Sequence, residues 1–141
     1  MPITLSQFAK DPLPENLRSN AVETLALINE VSSKIPALKF SSGYRSVERN
    51  RRVGGVLNSK HVQAHAADFV TKNHKYSPAL VELFKSIAEP KGFNAYVHNA
   101  GTGLHIHSEY RGGSKSVSPV VTGGWLLVGA AALAFIFFGN K

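Results

Sequence analysis

From Val120 to Gly139 the chain reads VVTGGWLLVGAAALAFIFFG, without a single charged residue. No other feature constrains the chain so strongly, because the segment has no polar face to offer water. A helix of about 20 apolar residues crosses a hydrocarbon core of about 30 Å. Trp125 would sit toward one interface and Lys141 among head groups at the other. The expectation is a single transmembrane helix over 120–138, anchoring the protein to a lipid bilayer. Residues 112–119, GGSKSVSP, read as a flexible linker. Arg111 and Lys115 on one side and Lys141 on the other do not orient the span. What remains, 1–111, is enough for one domain around one core.

Within that domain there is no cysteine, which excludes disulfides and thiolate metal sites. A metal would have to be held by His, Asp and Glu. The six histidines fall into two groups: His61, His65 and His74, then His98, His105 and His107. The net charge of +7 favours anionic partners. The basic residues bunch at Arg45, Arg49, Arg51, Arg52 and Lys60 with few aromatics among them, so no specific nucleic-acid binding is expected. The first residues lack a basic patch followed by an apolar run, so no secretory leader is expected.

Periodicity places the elements. Leu17, Ala21, Leu25, Ile28 and Val31 recur at helical steps after Pro14, and Pro36 ends the run. A short strand is expected over 37–40, leading into a turn at Ser42 and Gly43. SVERNRRV reads as a short basic helix and VGGVLNSK as a loop. A strand follows over 65–70. Ser77 and Pro78 form a helix start whose core face is Leu80, Val81, Phe84, Ile87 and Ala88, stopped by Pro90 and Gly92. Two last strands are expected near 93–98 and 104–110, joined through turn residues. The fold class is α+β: a small antiparallel sheet with flanking helices.

Side chains alternate along a strand, so His105, His107 and Glu109 in LHIHSEY share one face. Two imidazoles so placed are a metal-ligand pair, or one ligand beside one catalytic group. Alternatively they are ordinary half-buried histidines, with Asp68 a strand-end cap. In SKHVQAHAADF, Asp68 and Ala66 share a parity and His65 takes the other face. Two histidines and a carboxylate make a three-ligand set for Zn²⁺ with a fourth position left for water.

Several separate elements occur in a family's order: Ser42-Gly43-Tyr44-Arg45-Ser46, Asn50, Gly54-Gly55, Ser59, His61, Ala66, Asp68, His105 and His107. Over 16–111 the chain resembles the zinc D-Ala-D-Ala carboxypeptidase and L-Ala-D-Glu endopeptidase group of cell-wall enzymes, whose fold phage endolysins and the hedgehog signalling domain share. The resemblance implies Zn²⁺ on His61, Asp68 and His107, with His105 beside it as a catalytic group. It implies that Arg45 binds a substrate carboxylate, the alternative being a structural pair with an acid or a carbonyl. It puts Ser59 on the substrate side, bracing the loop before His61.

The pattern is departed from twice. The motif glycine is Ala64, which is harmless if the backbone there has an ordinary φ. The acidic general base expected shortly before the last ligand is missing from VHNAGTGLHIH, where Gly101 or its neighbours take its place. His105, then His98, then Glu109 are the candidate substitutes. The function implied is a membrane-anchored zinc peptidase acting on peptide stems or cross-links of bacterial peptidoglycan, at the internal membrane of a membrane-containing phage virion or at the bacterial inner membrane. Its rival is a zinc-binding membrane protein without catalytic activity.

Overall fold

The structure is a computed structural model that describes residues 1–100 and 103–112. The expected transmembrane helix at 120–138 and all but the first residue of the linker lie outside the described residues, as do Gly101 and Thr102. Among the described residues no helix is long and apolar enough to cross a membrane.

A helix α1, Leu5–Phe8, comes first and is too short to show a hydrophobic stripe. Its signal is chemical. Thr4 accepts from the Gln7 backbone N–H while the Gln7 side chain accepts from the Thr4 N–H, a reciprocal cap. After a 3-10 turn at Glu15–Leu17 comes α2, Arg18–Lys34, which buries Ala21, Thr24, Leu27, Ile28 and Val31. Leu17 and Leu25 of the expected stripe lie at the core's margin. Thr24 holds a central place because its hydroxyl has partners: it donates to the Ala64 and Asn20 carbonyls, each at 2.9 Å.

Strand β1 is Lys39–Ser42, two residues later than expected. Leu38 N–H is still bonded to the Ile35 carbonyl at 3.0 Å, so the chain is turning where a strand was expected. Helix α3, Val47–Arg52, is capped by Ser46. Strand β2 is Ala66–Val70, and α4, Pro78–Ala88, is capped by the Ser77 hydroxyl accepting from Leu80 N–H at 3.1 Å. Strands β3, Tyr96–Ala100, and β4, Gly103–Glu109, complete the sheet. Strand β3 begins at Tyr96 rather than at 93 because Phe93 meets Tyr110 only through an isolated bridge.

The four strands are antiparallel in the order β1-β2-β4-β3. One face packs on α2 and α4. Phe69 and Ile106, paired across β2 and β4, meet Phe84, whose ring lies edge-on to Phe69 at 5.0 Å. All three are fully buried. Truncating Phe84 to Ala would cost about 3–5 kcal/mol. His65, on this helix side as its parity requires, bonds Glu23 of α2 at 2.7 Å and stacks on Tyr110. The opposite face carries Asp68 of β2 and His105, His107 and Glu109 of β4, and the 43–65 segment brings side chains to it.

Candidate metal centre

The register decides what this face presents. Ser42 pairs with Asp68, Asp68 with His107, and His107 with Tyr96, so one row crosses all four strands. Directly opposed residues have Cβ atoms about 4.5–5.5 Å apart. A carboxylate and an imidazole placed so must meet, and His107 Nδ1 lies 2.9 Å from Asp68 Oδ1. A bulge in β1 between Phe40 and Ser42 turns the following segment toward Asp68.

His61 arrives from a turn rather than a strand. Its Nδ1–H donates to the Gly43 carbonyl at 2.7 Å, which leaves Nε2 facing Asp68 Oδ2 at 3.3 Å. Its backbone is held on both sides: His61 N–H donates to Ser59 Oγ at 3.1 Å, and Arg45 N–H donates to the His61 carbonyl at 3.1 Å. Ser59 thus spends its hydroxyl oxygen on the loop. Gly43 is required here, since a Cβ would overlap the ring and carbonyl of Phe8. Ala64 closes the turn with φ 59°, in the left-handed region. The condition under which alanine would be harmless, an ordinary φ, is therefore not met: the turn demands the conformation a glycine adopts freely, and alanine adopts it under strain.

One donor atom each from His61, Asp68 and His107 lies within 4.8 Å of the others, and all three residues are buried. Burial alone would raise the Asp68 pKa, but hydrogen bonds with His107 and His61 outweigh it and hold the carboxyl well below the usual range. Burial likewise works against protonation of His107, but its bonds to Asp68 and Glu109 overrule it and raise its pKa. The centre is a preassembled anionic acceptor between two imidazoles.

Around it stand the other candidates. Arg45 is half-buried, with Nη2 3.3 Å from Asp68 Oδ2 and Nη1 donating to Asn50 Oδ1 at 3.3 Å. Asn50 also donates to the Val56 carbonyl at 2.7 Å, and a Cβ on Gly55 would overlap its amide. That explains why an asparagine and a glycine pair accompany the arginine. His105 donates from Nδ1 to the Gly103 carbonyl at 3.0 Å, and its Nε2 points to Asp68 Oδ1 at 3.7 Å. His98 is exposed, its ring centroid 5.4 Å from that of His105. Glu109 lies at the other edge of the His107 ring from Asp68, its Oε1 2.9 Å from Nε2. His74 bonds the Leu104 carbonyl, and His65 remains on the helix side.

Tyr96 is the neighbour that sequence reasoning overlooks, with its ring centroid 5.3 Å from that of His107. Its signal was parity with His98, two residues on in the same strand. Burial, with the charges of Glu109 and Asp68, raises its pKa and keeps the hydroxyl a donor.

A family model described as Peptidase M15 matches residues 9–109. The chain belongs to the peptidase M15 family. Zinc is the cofactor of this family, and the donor set fits it: two imidazoles and one carboxylate, with no thiolate, bring donor atoms within 4.8 Å of one another, a set of three that suits a zinc site. The tautomer of His61 agrees, since its N–H is committed to a carbonyl and its lone pair faces the other donors. No curated protein matches the M15 chain.

Proposed function

We propose that this M15 chain hydrolyses peptide bonds in the stems or cross-links of bacterial peptidoglycan, with zinc held by His61 Nε2, Asp68 and His107 Nδ1. The carrying observation is the convergence of those three buried donors within 4.8 Å on a face open to solvent along β3. When bound, zinc supplies Lewis-acid activation of water and of the scissile carbonyl.

The chain's own residues do the rest. With Nδ1–H tied to the Gly103 carbonyl, His105 keeps a lone pair on Nε2 directed at the site. It takes the proton that water gives up on attack and returns it to the departing amine, the work an acidic base does elsewhere, and such assistance is worth about 10²–10⁴-fold. His98, more exposed and one strand farther out, is the second candidate. The Tyr96 hydroxyl is placed to donate to oxygen as charge builds on it. Arg45 has donors left over after Asp68 and Asn50, and a guanidinium fork matches the carboxylate of a stem peptide.

The apolar run 120–138 serves in this reading as a single-pass anchor in a lipid bilayer. Its length and its lack of charge support this. A tethered lytic domain suits local wall digestion, at the internal membrane of a membrane-containing phage or at the bacterial inner membrane.

The test is digestion of purified peptidoglycan by the zinc-loaded protein, with mass spectrometry of the products. New amine and carboxyl termini within the stems are expected, abolished by chelation and by His107→Ala. Zinc bound in full with intact stems would instead make it a zinc-binding protein without catalysis.

A further inference from the structure

His107 offers its two ring nitrogens to two different carboxylates. Nδ1 faces Asp68 Oδ1 and Nε2 faces Glu109 Oε1, both at 2.9 Å. An imidazole that gives one nitrogen to a metal keeps its N–H on the other, and the partner of that N–H fixes the tautomer and the ring's rotation. Glu109 is that partner.

Strand geometry lets it be so. Residues 107 and 109 share a face and stand about 7 Å apart along the strand. A glutamate reaches back over that distance, and an aspartate would fall a methylene short. The carboxylate is itself held: Oε2 accepts from Arg111 Nη1 at 2.8 Å, the next residue of the same parity. The backbone of Glu109 is clamped by Asn94, whose Oδ1 accepts from Glu109 N–H and whose N–H donates to the Glu109 carbonyl, each at 3.0 Å. The Glu109 side chain is only 17% exposed, so the pair is sheltered from competing water.

We infer that Glu109, held by Arg111 and Asn94, is a positioning residue that locks His107 with Nδ1 toward the metal, and so sets the zinc affinity of the site. This rests on the reading of His107 as a ligand. Glu109 is thereby committed to the ring's outer edge, which leaves the proton transfer to His105.

The experiment is a zinc titration of the full chain against a chromogenic chelator, with His107→Ala, Glu109→Ala, Glu109→Gln and Arg111→Ala beside it. Removing such a partner weakens metal binding by about 10–100-fold. Glu109→Ala is expected to lose that much and Glu109→Gln, which keeps an acceptor oxygen, less. Arg111→Ala is expected to lose less than Glu109→Ala. Long-range proton–nitrogen spectra of the zinc-loaded protein are expected to show a protected His107 Nε2–H that exchanges freely in Glu109→Ala. Circular dichroism of the metal-free forms checks folding, and if the alanine variant does not fold, Glu109→Gln carries the test. Unchanged affinity and an unchanged Nε2–H in the Glu109 variants, with zinc still lost in His107→Ala, overturns this inference alone. Zinc bound equally well by His107→Ala overturns the ligand reading, and the inference falls with it.

Discussion

The Nδ1–H of His61 donates to the carbonyl of Gly43 at 2.7 Å. A turn residue far away in the chain thus selects which nitrogen of His61 faces Asp68. That carbonyl is positioned by close packing, because Tyr44 N–H bonds the Phe8 carbonyl at 3.0 Å and Phe8 leaves no room for a side chain on Gly43.

Gly43→Ala therefore reaches the metal through two intermediaries. The added methyl pushes the turn off Phe8, the carbonyl moves, and His61 loses its tautomer lock. The expected outcome is zinc affinity reduced by about 10–100-fold, as for other lost partners of ligating histidines. Isothermal titration with zinc measures it, and equal affinity would remove Gly43 from the account.

Ala64 yields a second prediction. Its left-handed φ costs an alanine about 1–2 kcal/mol. Replacing it by glycine relieves that strain but loses a buried methyl, about 0.8 kcal/mol, and loosens the unfolded chain by about 0.4–1 kcal/mol. The terms cancel, so Ala64→Gly should be close to neutral. Ala21→Gly, equally buried but within α2, loses the methyl and about 1 kcal/mol of helix propensity, together about 2 kcal/mol. Thermal melts of the two variants should differ by about 8–16 °C. Equal melting temperatures would contradict the strain argument.

Arg45→Lys separates charge from geometry. Lysine keeps the positive charge near Asp68 but cannot offer a planar fork. Loss of hydrogen bonding to a charged group is worth about 1.5–3 kcal/mol. The expected result on a stem peptide with a free carboxylate is kcat/KM lower by about 10–100-fold, mostly in KM, with zinc content unchanged. A pure kcat effect would move Arg45 from substrate binding to the chemistry.

Asp11 is one of the carboxylates that contribute to behaviour in acid. Its carboxylate accepts from Arg49 Nε at 2.8 Å, Arg49 Nη2 at 2.7 Å and Ser46 N–H at 3.0 Å. These bonds, that from Arg49 foremost, hold its pKa well below the ordinary carboxylate range. A group whose pKa is depressed in the folded state stabilises it fully above the unfolded pKa, about 3.9. That contribution fades as pH falls through the folded value. Asp11→Asn should therefore melt below the parent at neutral pH, and the gap should close as pH drops beneath about 4. A gap constant down to acid pH would contradict the ion pair's role.

Much of the site was legible because strand parity is a local property. His107 and Glu109 fall on one face by counting alone, and Asp68 separates from His65 the same way. Register is not local. That Asp68 pairs with His107, and His107 with Tyr96, follows from how the strands align, so Tyr96 stayed hidden although His98 beside it did not. Single backbone carbonyls such as that of Gly43 leave no trace in composition. The displacement of β1 from 37–40 to Lys39–Ser42 has a similar origin, since a turn bond to Ile35 delays the strand and a bulge at its end corrects the phase. The φ of Ala64 was not legible because alanine ordinarily reports an unstrained backbone, whereas here the turn before β2 imposes its conformation on whatever residue occupies it.

The most direct measurement is anomalous diffraction at the zinc edge from crystals of the zinc-loaded protein. One strong peak should lie about 2.0–2.2 Å from His61 Nε2, His107 Nδ1 and an oxygen of Asp68. A site with no peak there, or zinc bound through His107 Nε2 with Glu109 displaced, would contradict the account.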